Sequence, residues 1–369
     1  MNKILTIIVP SYNMEAYLGK CLDSLIVKNE EGRVDTELLS ALEVLVINDG
    51  SKDRTSEIGH GYEARYPGTF RVIDKANGHY GSCVNRGLAE ATGTFIRVLD
   101  ADDYVDTINF KGFLELLLSF DSNDLPEAVI TDFDYVDVEG KVIPHKSFPF
   151  LQGKASLRPC DCENMDRFCF QTHNLTYLTR ILRKMGYKQT EGILYTDTEW
   201  FILPMVYVVH YYYYPESVVR YLIGREGQSV SKEVMCVNFG SLLSLAFNIV
   251  EKLEKLIENN GGKGGDFPKA RILQLIRNQY KHVIFDGFDD KRCINLLREF
   301  DVRLKENFPE YYNELATDKR RWHFFSLYYI AEWRRDYSVV TFNFFFYKML
   351  VAIGNFMHRL KNVFHNENK

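Results

Sequence analysis

Three apolar runs in the first hundred residues each stop at a cluster of polar, turn-forming residues, and this repeated ending constrains the fold more than any other feature. Ile4 to Val9 is an apolar, largely β-branched run, as expected of a strand buried on both faces, and Pro10 closes it. Leu18, Cys21, Leu22 and Leu25 then fall at helical spacing. A second run, Leu42 to Ile47, leads into Asn48-Asp49-Gly50-Ser51, where Ser51 is expected to cap a helix with Asp53 in its first turn. Phe70 to Ile73 reads as a short strand, and Gly81 to Ala91 as a helix closed by Gly93. Thr94 to Leu99 is the next strand and runs directly into Asp100-Ala101-Asp102-Asp103.

Strand–helix–strand units of this length imply right-handed crossovers and a mostly parallel, Rossmann-like sheet in an α/β fold. The ligand crevice of such a sheet lies beyond the carboxyl ends of its strands. That is where Ser11-Tyr12-Asn13, Asn48-Asp49-Gly50 and Asp100 to Asp103 fall. No Walker A sequence is present, and no GxGxxG follows the first strand, so neither a P-loop NTPase nor a dinucleotide-binding domain is expected. A net charge of −5 argues against a nucleic-acid partner. The 23 Tyr and 26 Phe point to stacking or interfacial surfaces beyond the core.

Farther along, Ala128 to Tyr135 and Val208 to Tyr214 read as strands, and Leu175 to Met185 as a helix. Helical spacing dominates Leu242 to Ile257, Lys269 to Ile284 and Asp290 to Glu306, with a Gly-rich loop at Asn259 to Asp266. The expected organisation is a catalytic domain over 1–235, a helical region over 236–335 and an amphipathic basic helix over 336–369. Residues 320–369 carry eight Lys/Arg against three Asp/Glu, or +5, which leaves −10 for the remainder. Such a segment either lies in a membrane interface or packs on the protein or on a second copy in a homo-oligomer. Seven scattered cysteines and an N-terminus without a secretory pattern imply reduced thiols and a cytoplasmic protein. Cys160, Cys162 and Cys169 lack paired CxxC spacing and read as structural thiols.

Asp100-x-Asp102 carries the strongest chemical implication. Two carboxylates this close repel one another unless a cation neutralises them, and a hard divalent ion would also bind diphosphate oxygens. Alone, such a pair also occurs in plain caps and turns; its place at a strand end, facing two other polar strand ends, is what gives it weight. Asp49-Gly50-Ser51 fits either a base-binding turn or an Asx turn, and Tyr12 is placed to stack on a nucleobase.

Taken together, IVPSYNMEAYL (8–18), VINDGSKDRT (46–55) and KANGHYGSCVNRGLAEATGTFIRVLDADD (75–103) resemble the inverting family-2 glycosyltransferases of GT-A fold. The resemblance implies a nucleotide pocket that includes Pro10, with Tyr12 and Asp49 on the base, most often uracil. It places Glu15 in support of that pocket, with Asn77 and Gly78 lining it. Asp100 would contact ribose or metal, and Asp102 would ligate Mn²⁺ or Mg²⁺. This chain departs from the family pattern in having Val84 where an Arg is common before Asn85, and His79-Tyr80 where small residues are usual.

The general base of the family is usually the Asp of a Glu-Asp pair followed by an aromatic. The segment Tyr195-Thr196-Asp197-Thr198-Glu199-Trp200 matches it with Thr196 in place of the Glu. Asp197 is therefore the expected base and Glu199 the fallback, although both also suit a helix N-terminus. Arg225 to Ser231 resembles the closing loop from which a basic residue reaches the diphosphate, with Gly227 permitting motion; a solvated surface loop fits equally well. His173-Asn174 lies where the family often binds acceptor. The expected activity is metal-dependent transfer of a sugar from a UDP-sugar to a glycan or lipid-linked acceptor, at the inner face of the cell membrane. The rivals are a nucleotidyltransferase, whose Gly-rich signature loop Pro10 to Asn13 lacks, and an inactive nucleotide- or carbohydrate-binding subunit marked by Thr196 and Val84.

Overall fold

Strands β1 (Leu5–Ser11) and β2 (Leu42–Asn48) are buried along their whole length and pair in parallel from Leu5↔Leu42 to Ser11↔Asn48. Between them lie α1 (Leu18–Ser24) and α2 (Thr36–Ala41). After β2 come α3 (Thr55–Arg65), β3 (Phe70–Asp74), α4 (His79–Glu90) and β4 (Phe95–Val98). β3 continues the sheet beside β2, with Asn48 opposite Asp74, and β4 runs parallel to β1 on its other side. The register therefore sets Ser11, Asn48 and Asp74 side by side, and Asp100 follows β4 at the same edge.

The structure, a computed structural model, describes residues 2–148, 150–151, 153–156, 170–225, 228, 231–286, 288, 290–317 and 324–337. Beyond β4 the sheet becomes mixed. After β5 (Tyr104–Val105) and α5 (Thr107–Ser119), β6 (Ala128–Val136) pairs antiparallel with the edge strand β7 (Val142–Lys146). β8 (Lys154–Ser156) is another short edge, and β9 (Leu175–Leu178) lies antiparallel to both β4 and β6. β10 (His210–Leu222) runs parallel to β6 and antiparallel to β5, so the sheet order is β3-β2-β1-β4-β9-β6-β10-β5.

The helices expected at 242–257, 269–284 and 290–306 are present, but several local expectations are corrected. Leu175 to Met185 is not one helix: its first four residues form β9, wholly buried between β4 and β6, and α6 (Thr179–Lys184) follows. Sheet pairing on both sides overrides the helical spacing. Ser51 does not cap a helix, because α3 begins at Thr55; the Ser51 hydroxyl instead accepts from the Asn13 N–H at 3.0 Å. Gly93 does not end α4, whose last residue is Glu90. It is glycine because a Cβ there would sit 2.5 Å from the Thr6 nitrogen.

The chain divides into two compact units, 1–272 and 273–369. The first unit retains α7 (Asp197–Ile202), α8 (Lys232–Val237) and α9 (Phe239–Asn259). α9 buries Phe239, Leu242, Leu245, Ala246, Ile249, Val250 and Leu253 along one face. α10 (Asp266–Ile284) crosses the division. In the second unit, α11 (Lys291–Asn307), α12 (Pro309–Thr317) and α13 (Phe324–Asp336) follow. There Tyr280, Asp301 and Arg334 form a buried polar knot, with Arg334 Nε donating to Asp301 Oδ1 at 2.9 Å. Among the described residues no helix is long and apolar enough to cross a membrane. The amphipathic segment expected toward the C-terminus lies, from residue 338 on, outside the described residues, as do Cys160, Cys162 and Cys169.

Candidate active site

The first strand ends are knitted together by their own polar groups. The Asn13 side-chain oxygen accepts from Lys52 N at 2.8 Å, and Glu15 exchanges bonds with Asp53 and Arg54, both at 3.0 Å. Gly50 takes φ +72°, and a Cβ there would lie 3.1 Å from Asn77 N, so the β2 turn needs glycine on both counts. Buried Asp49 is held by Lys75 Nζ at 2.5 Å and by the Gly78 N–H at 2.9 Å, both on Oδ1, while Asn77 Nδ2 donates to its carbonyl at 3.0 Å. Asp49, Asn77 and Gly78 are thus brought together. Pro10 is buried at the end of β1, and Tyr12 stands 47% exposed above it, as a stacking surface requires.

Two residues past Gly78, Tyr80 reaches the acid cluster: its hydroxyl donates to Asp100 Oδ1 at 2.8 Å. Burial pushes the Asp100 carboxyl up to about 7, reinforced by Asp103 and Asp102, and burial raises Asp103 well above the carboxylate range. Asp103 Oδ1 accepts from Leu222 N at 2.9 Å, and His173 Nδ1 lies 3.2 Å from Oδ2, an oxygen that receives no aligned hydrogen bond. His173 is buried, which lowers its proton affinity, and it stacks on Tyr221 at 4.0 Å. Asp102 behaves differently: Arg225 Nε donates to its Oδ2 at 2.5 Å, with the guanidinium 5.5 Å from the Tyr17 ring. Gly227, in the same loop, lies outside the described residues.

A divalent cation fits this donor set. Asp100, Asp103 and His173 each offer an atom within 4.8 Å of the others, and Asp103 Oδ2 is a buried oxygen with no hydrogen bond made to it. Hard oxygens with one imidazole suit Mn²⁺ or Mg²⁺.

Asp197 opens α7, and it is only partly exposed. Burial pushes its carboxyl up to about 6, against the charge of His173 and backbone N–H groups that lower it. It also acts electrostatically on Tyr80, His173 and Tyr221, as Asp100 does, which places it beside the acid cluster. Tyr195, two residues before it, has φ 65°, and Asn13 and His79 have φ 54° and 64°. Three side-chain-bearing residues in the left-handed region therefore sit on the loops and the helix start that present the site, where such strain concentrates.

Glu199, the alternative base, is fully buried and accepts from Thr190 N at 2.6 Å and from Lys252 Nζ at 2.9 Å. That ion pair stabilises the ionised carboxylate and opposes its taking up a proton. Thr196 is also buried, with its hydroxyl accepting from Gln189 Nε2 at 3.2 Å. Asn85 fixes the same segment to α4, accepting from Gln189 N and donating to Gln189 O at 2.8 Å each. A Cβ on Gly81 would lie 1.9 Å from the Thr190 carbonyl oxygen. Gly81→Ala is therefore expected to cost about 3 kcal/mol, since a backbone group cannot yield as a side chain does. A urea titration should show the midpoint fall; an unchanged midpoint would refute the close contact.

Lys75, Tyr80, Asp103 and Lys252 did not emerge from sequence reasoning as site residues. Lys75 and Asp103 were within reach, being polar residues of the quoted strand-end motifs. Nothing local marked Lys252, which sits 53 residues from Glu199 on a helix whose polar face looks merely solvated.

Residues 6–189 match the family model described as glycosyl transferase family 2. The Bacillus subtilis glycosyltransferase EpsJ is 38% identical over 115 residues, covering 31% of this chain and 30% of its own. The B. subtilis minor teichoic acid biosynthesis protein GgaB is 31% identical over 140 residues, 38% of this chain and 14% of its own. This chain thus spans about a third or less of the length of such curated relatives. Among solved structures, residues 1–349 of Staphylococcus aureus TarS superpose with a TM-score of 0.57 in complex with UDP, at 18% identity, covering 88% of this chain and 87% of that one. The complex with UDP-GlcNAc gives 0.52 at 15% identity over 84% and 91%.

Proposed function

The chain belongs to glycosyl transferase family 2 through its residues 6–189 and has a GT-A fold with a helical C-terminal region, and from that premise we propose that it is a metal-dependent, inverting glycosyltransferase using a UDP-sugar. One observation carries the reading: neighbouring strand ends bring the bonded Asp49 turn and an acid cluster to a single edge of the sheet, and α7 sets a partly exposed carboxylate of raised proton affinity beside that cluster.

In this reading Tyr12 stacks on the uracil, and Asp49, oriented by Lys75 and the Gly78 N–H, accepts from a base N–H. Pro10, Glu15 and Asn77 hold the two loops that form this pocket. A Mn²⁺ or Mg²⁺ ion held at Asp100, Asp103 and His173, with Asp102 beside them as a further ligand, would neutralise the diphosphate and the charge developing on the leaving group. Arg225, whose Nε–H is donated to Asp102, brings the positive charge that we assign to the diphosphate. Asp197 takes the proton from the acceptor hydroxyl as it attacks the anomeric carbon. The relative GgaB is named for minor teichoic acid biosynthesis, and a glycan or lipid-linked acceptor of a surface polymer is the substrate class we assign. The setting we assign is the cytoplasmic face of the membrane, touched by the basic segment beyond residue 338.

Thermal unfolding with UDP-GlcNAc, UDP-glucose, UDP-galactose and GDP-mannose, each with and without Mn²⁺, tests this directly, because a ligand of the folded state raises the midpoint. One UDP-sugar is expected to give a Mn²⁺-dependent rise and then to be hydrolysed slowly by the protein. Absence of any shift would overturn the donor site. A Mn²⁺-dependent shift without hydrolysis or transfer would favour the inactive binding subunit.

A further inference from the structure

We propose that the buried Glu199–Lys252 pair is a positioning device for the helix that carries Asp197, so that α9, outside the matched family 2 region, takes part in the transfer. The inference rests on the reading of Asp197 as the base. α7 has only six residues and no side-chain cap, too little to hold its own orientation. Its placement is therefore imposed by its neighbours.

Glu199 supplies the strongest of those attachments. Its side chain is fully buried, and it accepts from Thr190 N at 2.6 Å, Thr190 Oγ1 at 2.7 Å and Lys252 Nζ at 2.9 and 3.0 Å. Lys252 spends its other donors on the Lys188 carbonyl at 3.0 Å and Thr190 Oγ1 at 2.8 Å. Two residues apart on a helix, Asp197 and Glu199 project about 200° from each other, so the anchor grips the face opposite the base and fixes its rotation. The anchored segment continues through Gln189 to Asn85 on α4, the helix whose first turn supplies Tyr80 to Asp100. Donor site and base are thereby tied through one polar chain whose last link is Lys252. Thr196 takes a neutral hydrogen bond from Gln189, and the one buried carboxylate of the segment stands at Glu199, where a cation meets it.

The test uses the full chain, the UDP-sugar selected by thermal unfolding, and Mn²⁺. Lys252→Met is expected to lower kcat for hydrolysis about thirtyfold, the effect of a small displacement of a reacting group. UDP affinity by calorimetry should stay within about threefold, because the loss is confined to the chemical step. Lys252→Arg should restore most of kcat. Since Lys252→Met strands a buried carboxylate at a cost to folding, the double variant Glu199→Gln with Lys252→Met removes both charges and should reproduce the loss of kcat in a folded protein. Normal kcat in the folded double variant, or a parallel loss of UDP affinity, would overturn the proposal. Asp197→Asn run alongside separates the two readings: if it remains active, the base assignment fails; if it is inactive while the double variant is normal, only the positioning role fails.

Discussion

Asp197→Asn is expected to reduce kcat by about three orders of magnitude, the upper part of the range for removing a general base, while UDP affinity stays nearly unchanged. The asymmetry follows from the geometry. Asp49, Asn77 and Gly78 bond to one another, and none bonds to Asp197. An amide in place of the carboxylate keeps size and shape, so folding is preserved. The pH profile provides a second check. Only the ionised carboxylate accepts a proton, and burial pushes Asp197 up to about 6, so wild-type kcat should fall as pH drops through about 6 and level off above it. In Asp197→Asn that limb should vanish. Loss of UDP binding in this variant would instead make Asp197 a pocket or folding residue.

Asp102→Asn should lower turnover at ordinary Mn²⁺ concentration by roughly a thousandfold, about 4 kcal/mol of lost charge stabilisation at the leaving diphosphate. Asp102 also anchors Arg225, whose Nε–H it accepts at 2.5 Å, so the loss has two separable sources. Arg225→Ala removes the guanidinium and keeps the carboxylate. If Asp102 acts mainly on the cation, Asp102→Asn should be much the more damaging and should shift the Mn²⁺ concentration needed for half-maximal rate. Equal effects with an unchanged Mn²⁺ requirement would reduce Asp102 to a tether for Arg225. Near-normal activity of Asp102→Asn would remove it from the site.

The clustering of Tyr12, Asp49 and Asp100 at one edge was legible in the sequence because its parts are local. Each polar cluster follows directly on an apolar run, and parallel pairing in register turns that adjacency in sequence into adjacency in space, as Ser11↔Asn48 and Asn48↔Asp74 show. The reading failed where two influences compete over a few residues. Leu175 to Leu178 carries apolar residues compatible with either helix or strand, and the neighbours on both sides decided for the strand.

Chain order alone was enough to determine the parallel half of the sheet, the edge at which the polar strand-end clusters collect, and the acids placed there. The surroundings of each acid came only from tertiary structure. Asp102 meets Arg225 from more than a hundred residues away, Asp103 meets His173, and Glu199 meets Lys252. The physical reason is that the role of a carboxylate depends on its burial and on the charge beside it. Both are set by contacts between distant segments, which no local pattern encodes.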